Sequence, residues 1–286
     1  MASSLHKTKH RITSIENTEK TTKAMGLIAM VKLRQFLSNY EKSKLYNDEL
    51  LNLMGVIFAN DKQTASHYAK VNEKASKSLY LVITSNLGLC GAYNNQLFKY
   101  VDTFVSKDDV IAPIGNKGLH HFERSEEFKN ISKDYAYLNL STDMHILNKL
   151  CADLKKEFNE GKYRSINIIY TRYVNSLKSV PSSFQLLPVQ IPYNNKKEDS
   201  YCPPEFDESP RTLIHELMPT YLSSMVYGRL VESQLSEQSM RRSAMDNAND
   251  NADELLNKLR IEYNKARQNA ITQEITEVVG GSNTND

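Results

Sequence analysis

The feature that most constrains this chain is a long proline-free stretch near its C-terminus, residues 221–279. Its one glycine, Gly228, lies near the start, and the pair Gly280-Gly281 follows where a helix end is expected. Small and apolar residues recur between them at steps of three and four, which marks one face of an α-helix: Ala244, Ala248, Ala252, Leu255, Leu259, Tyr263, Ala266 and Ala270. Such a helix would be roughly 85–90 Å long, too long to bury this face against one compact core. The sequence therefore predicts a long helical partner.

The N-terminal residues supply that partner. Apolar residues from Ile12 to Ile57 follow helical spacing, and we expect a helix that ends at about residue 60. All eight prolines lie between Pro113 and Pro219, so neither arm contains a helix breaker. Two arms of similar length at opposite ends of one chain would most simply pair antiparallel. The sequence shows no strict heptads, so we expect a thin coil of moderate stability.

Between the arms, short apolar runs alternate with helical patterns, which predicts a small α/β domain at 78–191. The predicted strands are 79–85, 110–114, 135–140, 165–174 and 183–190, and Pro188 favours an edge position for the last. Ser141 is the predicted N-cap of a helix that Gly161 ends. Residues 192–208 form a predicted linker. Ser209-Pro210 then begins a helix that Pro219 should break or kink. The predicted domains are thus a helix at 1–60, the α/β domain at 78–191 and a helix at 209–281.

Composition limits the classes of function. The chain is 40% hydrophobic and 24% charged, with a net charge of only +2, which gives no general attraction to nucleic acid. Cys90, Cys151 and Cys202 are widely spaced without a CxxC pair, which favours a reducing compartment. No apolar run reaches the ~20 residues of a membrane span, and the N-terminus lacks the apolar core of a signal peptide. We expect a cytoplasmic location.

No motif predicts catalysis. Residues 88–91 follow a strand and precede a helix, where α/β folds often bind phosphate, but they match neither GxGxxG nor the Walker pattern. This favours a structural turn over a nucleotide loop. His6 and His10 stand four residues apart on the predicted helix, yet no metal-binding set accompanies them. We expect no catalytic residue, cofactor or metal.

Four stretches of the chain carry a resemblance to a known family. The end of the C-terminal helix, residues 263–281, is similar to the C-terminal signature of γ subunits of F-type ATP synthases. The segments 22–25 with 31–34, 85–94 and 232–252 resemble further motifs of that family, in the same order. The chain departs from the family pattern in its polar tail after Gly281, in Asn86-Leu87 of the turn, and in Gly26 within the N-terminal helix.

The resemblance implies a central rotor shaft that is not itself catalytic. Its two terminal helices would form an antiparallel coiled coil inside a ring of three alpha and three beta ATPase subunits. The Rossmann-like α/β domain would form a foot that meets an epsilon-type small subunit and the membrane rotor ring, at the cytoplasmic face of the cell membrane. By the same resemblance, the residues that contact the partner ring would be Met25, Lys32, Arg34, Arg267, Gln268, Thr272 and Glu274.

Three alternatives remain open. The shaft could serve an F-like ATPase motor coupled to another load. A static coiled-coil adaptor would also explain the two arms and would self-associate without a partner ring. A nucleotide-binding enzyme would need the 88–91 loop to bind phosphate.

Overall fold

The computed structural model describes residues 2–60, 68, 70–73, 75–135, 143–190 and 206–282, with side chains described from residue 5 to residue 276 of these. Five helices and four strands are assigned there: α1 (Ala2–Asn60), β1 (Leu79–Ile83), α2 (Tyr93–Phe104), β2 (Val110–Ile114), α3 (Asn116–Glu123), α4 (Met144–Asn159), β3 (Ile166–Asn175), β4 (Lys178–Leu187) and α5 (Pro210–Ser282). The described residues form two compact units. The first, which we call the coil unit, comprises Met1–Met30 and Arg241–Asp286, and the second, the sheet unit, comprises Val31–Met240.

The coil unit consists of one segment each of α1 and α5, which run antiparallel. Arg260 Nη2 donates to Glu16 Oε1 at 2.9 Å, Thr22 hydrogen-bonds to Asn249, and Gly26 faces Met245. Positions on α5 thus fall in number as those on α1 rise. The predicted antiparallel pairing is confirmed.

The shielded positions in the coil unit follow a strict alternation of three- and four-residue steps. On α1 they include Leu5, Thr8, Ile12, Ile15, Glu19, Thr22, Gly26 and Ala29. On α5 they include Met245, Asn249, Ala252, Leu256, Leu259, Tyr263, Ala266 and Ala270. This is the heptad spacing of a coiled coil, so the sequence-based expectation that strict heptads are lacking was wrong. Polar and small residues occupy many of these positions, and they hide the repeat from a search for apolar residues.

One residue of the predicted apolar face was assigned to the wrong side. Leu255 is 41% exposed, whereas its neighbour Leu256 is 2% exposed and packs in the seam. A spacing of three from Ala252 would select Leu255, but the alternating repeat requires a spacing of four at that point.

The sheet unit contains a four-stranded sheet in the order β2-β1-β3-β4. The first three strands are parallel, and β4 pairs antiparallel with β3 as an edge strand. The edge position predicted from Pro188 is confirmed. However, β4 begins at Lys178, earlier than predicted, because Asn175 Oδ1 accepts from the backbone N–H groups of Leu177 and Lys178 and closes a tight hairpin.

Both faces of this sheet are covered by helices. Helices α2 and α3 pack on one face through Leu97, Val101 and Phe122. The other face is covered by α4 and by the parts of α1 and α5 that lie in the sheet unit. Their buried residues include Leu50, Met54, Ile57, Leu150, Leu154, Met218, Leu222 and Met225. This arrangement explains the nearly continuous apolar composition of β1, which is buried on both sides.

Pro219 does not break the C-terminal helix, so of the predicted break or kink at this residue the break is wrong. Helix α5 runs from Pro210 to Ser282 with Pro219 inside it. Met218, Tyr221 and Leu222 beside the proline are buried. Burial of such side chains stabilises by about 1.5–3 kcal/mol each, which offsets the hydrogen bond that proline removes.

Two further local expectations can be compared with the structure. The N-cap of α4 is Asp143, not the predicted Ser141, and its Oδ1 accepts from the backbone N–H of His145 at 2.9 Å. Gly161 ends the helix as predicted, with φ +81. Ser141, residues 136–140 of the predicted strand and residues 192–205 of the predicted linker lie outside the described residues. Among the helices that the structure describes, none is both long and apolar enough to cross a membrane.

Candidate functional site

The residues predicted to contact a partner ring lie on the outer surface of the long helices. Lys32 and Arg34, in the sheet unit, are exposed. Met25, in the coil unit, is partly buried next to the seam glycine Gly26. A methionine at the margin of a coil can pack against a partner without leaving its own helix pair, because its side chain is unbranched and flexible.

The four predicted residues of α5 form part of one exposed surface. Arg267, Gln268, Thr272 and Glu274 are all exposed, and Thr272 Oγ1 donates to the backbone carbonyl of Gln268 at 3.0 Å. Residues three, four and seven apart on a helix share a face, which also brings in the exposed Ile271 and Ile275. We call this set the α5 contact face: Arg267, Gln268, Ile271, Thr272, Glu274 and Ile275. It combines both signs of charge, amide and hydroxyl groups, and two exposed apolar side chains.

The structure does not bring Met25 together with the α5 contact face. Gly26, beside Met25, faces Met245, and Arg267 lies about 33 Å further along the helix axis at 1.5 Å per residue. The predicted contacts in the coil unit therefore occupy two separate levels.

Sequence reasoning missed several exposed apolar residues of the coil unit. Leu27, Ile28 and Ile261 lie outside the seam, and Ile261 is 69% exposed. The available signal was that they are apolar residues that do not fit the seam repeat. Single exposed apolar residues are ordinary, but a series along a thin coil is typical of a surface that another protein covers.

The turn at 86–91 is held closed by its own neighbours. Ser85 N donates to Asn94 Oδ1 at 3.1 Å, Asn94 Nδ2 donates to Ser85 Oγ at 2.7 Å, and Ser85 Oγ donates to the carbonyl of Leu87 at 2.7 Å. Asn86 Oδ1 accepts from the backbone N–H of Asn116 at 3.1 Å. These bonds give the polar residues of the turn a structural role that does not require a bound phosphate.

A groove of about 730 Å³ lies between α4 and α5 in the sheet unit. Its lining includes Cys151, Lys155, Lys156 and Leu222. Burial raises the pKa of the Cys151 thiol to about 12, so the thiolate needed for nucleophilic chemistry is scarce at neutral pH. No group of three or more potential metal ligands occurs within the described residues. The outer surface of the coil, with charged, polar and exposed apolar side chains, is suited to reversible protein contacts and is the candidate site.

Comparisons with known proteins agree with this picture. A family model described as ATP synthase matches residues 4–284. The ATP synthase gamma chain of Mycoplasma mobile is 38% identical over 285 residues, which cover 98% of each chain. The ATP synthase gamma chain of Heliobacterium modesticaldum is 33% identical over 282 residues, or 96% of each chain. A chain of the Euglena gracilis mitochondrial ATP synthase has a similar fold, with a TM-score of 0.67 and 18% identity over 99% of this chain and 95% of that chain.

Proposed function

This chain belongs to the ATP synthase gamma chain family, and we propose that it is the central-stalk rotor subunit of an F-type ATP synthase. In this role it couples rotation of a proton-translocating membrane rotor to ATP synthesis or hydrolysis in a surrounding ring of three alpha and three beta subunits. The observation that carries the proposal is the similarity to gamma chains over 98% of both lengths. The antiparallel coil with exposed apolar residues supports it independently.

The composition of the seam suits a shaft that is enclosed by partners. Glu19, Thr22 and Gly26 occupy consecutive seam positions of α1, where leucine or isoleucine would hold a free coil together more strongly. A ring that encloses the coil supplies the missing support from outside. The exposed residues Leu27, Ile28 and Ile261 give that ring an apolar surface to contact.

The polar residues of the coil surface are proposed to make the contacts that change during rotation. Arg267, Gln268, Thr272 and Glu274 act at one level of the shaft and Met25 at another, and Lys32 and Arg34 are proposed as further contacts on α1. Hydrogen bonds to charged groups contribute about 1.5–3 kcal/mol each, which is enough to transmit force. Because only a few such bonds form at one time, the shaft can still turn.

We assign the remaining roles by region. Residues 1–60 and 209–281 form the shaft, and 78–191 form the foot that meets an epsilon-type small subunit and the membrane rotor ring. Catalysis takes place on the ring subunits, and the chain lies peripherally at the cytoplasmic face of the cell membrane.

The decisive experiment is mass measurement of the native complex that contains this chain. We expect three copies each of two ATPase-like chains for every copy of this one. A complex made only of copies of this chain would indicate the static adaptor, and stoichiometric binding of ATP by the isolated chain would indicate the nucleotide-binding enzyme. Assembly with the ring but without a membrane rotor would indicate a motor with another load.

A further inference from the structure

Among the strands that the structure describes, none pairs with one edge of β3 over half of its length. Strand β1 pairs with β3 only as far as Val82 opposite Ile169. Strand β3 continues to Asn175 and remains paired with β4 on its other side. The backbone groups of residues 170–175 that point toward the β1 side therefore need other partners.

Helix α5 supplies partners for this edge through three polar side chains, and a fourth bonds to the hairpin that follows the strand. Ser233 Oγ accepts from Thr171 N at 3.2 Å, and Ser236 Oγ donates to Thr171 O at 3.0 Å. Glu232 Oε1 accepts from Tyr173 N at 3.2 Å, and Ser239 Oγ donates to the carbonyl of Ser176 at 2.8 Å. We call Glu232, Ser233, Ser236 and Ser239 the edge clasp.

The two periodicities involved match each other. Residues separated by two in a strand point their backbone groups the same way, as Thr171 and Tyr173 do. Residues three or four apart in a helix share one face, as Ser233, Ser236 and Ser239 do. All four members of the clasp are buried. A helix surface that the sequence would assign to solvent thus lies against the sheet.

An ion pair and two aromatic rings hold one end of the clasp in place. Arg229 Nη1 lies 3.6 Å from Glu232 Oε2, and its guanidinium lies over the Phe184 ring at 4.3 Å and the Tyr170 ring at 5.2 Å. Burial raises the pKa of Glu232, and the positive charge of Arg229 offsets part of that effect. Strands β3 and β4 therefore both contact this turn of α5.

We propose that the edge clasp is the point at which turning force passes between the α/β domain and helix α5. This inference rests on the proposed rotor function. The hydrophobic effect has no preferred direction, whereas hydrogen bonds weaken steeply with misalignment. A rotation of α5 about its own axis would break the hydrogen bonds to the backbone of Thr171, which is buried, and of Tyr173, which is partly buried. The clasp fixes the rotational position of α5 relative to the sheet.

The test uses the assembled catalytic head, with the ring immobilised and a bead attached to the α/β domain. The bead is linked through Lys99→Cys on the exposed surface of α2, with Cys202→Ser in every variant. The double variant Ser233→Ala/Ser236→Ala removes two of the four clasp bonds. The matched control is Ser223→Ala, which removes a buried hydroxyl whose bonds go to its own helix, at Pro219 O and Thr220 O.

The measured quantity is the angular variance of the bead during pauses in ATP-driven rotation. We expect an increase of up to about twofold in the double variant, because two of the four directional bonds are lost while the flexibility of the rest of the shaft is unchanged, and no change in the control. Ser239→Ala, which removes one bond next to the hairpin, should give a smaller increase in the angular variance. It replaces the double variant in the test if the double variant does not assemble. Glu232→Gln keeps an acceptor oxygen for Tyr173 N and should broaden the distribution less than Glu232→Ala.

The inference would be overturned if the angular variance stayed at the parental value in both the double variant and Ser239→Ala. It would also be overturned if Ser223→Ala broadened the distribution equally, since any loss of stability would then be enough to cause the broadening. Failure of the unmodified head to rotate the bead at all would instead count against the proposed function.

Discussion

Two glycines lie on buried faces of the long helices, and their surroundings differ. Gly26 of α1 faces Met245 in the coil unit, where an added Cβ would lie 3.5 Å from Met245 Cβ, an ordinary contact. Gly228 of α5 lies against Asn47 and Ser43 in the sheet unit, and an added Cβ would overlap the Asn47 amide. The same substitution should therefore have opposite effects at the two positions.

Gly26→Ala is expected to stabilise the chain. Alanine fits the available space, and it removes the conformational freedom that makes glycine unfavourable inside a helix by about 0.5–1 kcal/mol. Urea denaturation of the isolated chain should show an increase of this size in the free energy of unfolding. A decrease would mean that the helices approach more closely at Gly26 than the structure shows.

Gly228→Ala is expected to destabilise the chain by about 1–3 kcal/mol, the usual cost of overpacking. The Asn47 side chain cannot move away freely, because it is buried and its Oδ1 accepts from Ser224 Oγ at 2.6 Å. The same urea titration measures the effect. Asn47→Ala should make room for the new methyl group, so Gly228→Ala should cost less stability in the Asn47→Ala variant than in the parental chain. An equal cost in both would contradict the clash.

Cys151 is expected to resist thiol reagents in the folded chain. It is 2% exposed, and its burial raises the thiol pKa to about 12, so at pH 8 very little of it is the reactive thiolate. Mass spectrometry after brief alkylation should find Cys151 unmodified until urea unfolds the protein. Rapid native labelling would show that the groove beside it opens to solvent.

At the scale of the element, α5 carries a different surface at each level. In the sheet unit the polar side chains of Glu232, Ser233 and Ser236 are buried against β3, whereas in the coil unit the polar side chains of α5 face mostly outward. The α5 contact face belongs to the second kind. Since it makes few bonds within the described chain, substitutions there should affect partners more than the fold.

The variant Arg267→Ala/Gln268→Ala is expected to lower rotation-linked ATP turnover by the assembled complex several-fold while the chain stays folded. Loss of a charge-assisted bond to a ring subunit, about 1.5–3 kcal/mol, is the physical reason. Lys258→Ala is the matched control, because Lys258 lies about half a turn from Arg267 around α5 and pairs with Glu254 of its own helix at 2.5 Å. Equal turnover in the double variant and the control would show that this surface makes no functional contact.

At the scale of the whole molecule, the sheet and the two long helices share one core. Leu50, Met54 and Ile57 of α1 and Met218, Leu222 and Met225 of α5 cover one face of the sheet. The α/β domain is therefore incomplete without them, although the sequence suggested a separate domain at 78–191.

A fragment of residues 78–191 alone is expected not to fold cooperatively, because an apolar sheet face would be exposed to water. The matched fragment of residues 31–240, the sheet unit, retains the segments of α1 and α5 that cover the sheet. It should show a single cooperative thermal transition. Circular dichroism during heating distinguishes the two. A sharp transition in the short fragment would mean that the sheet and α4 suffice for a core.

Most of the secondary structure follows from local features of the sequence. The absence of proline from both arms and their helical periodicity gave the long helices, and the apolar run at Val110–Ile114 and the edge preference of Pro188 gave parts of the sheet. These features are local, because period and proline chemistry act within a few residues. The predicted contact residues came from family resemblance, and only their exposure on the helix surface could be read from the structure.

Tertiary structure alone decided which side of each helix is buried. It selected Leu256 over Leu255, kept α5 continuous through Pro219, and buried Ser233 and Ser236 against Thr171, more than 60 residues away in the chain. A serine or glutamate is assigned to solvent unless a partner for its polar atoms is known. Here that partner is the backbone of β3 where it extends beyond the end of β1. This edge exists only once the sheet has formed.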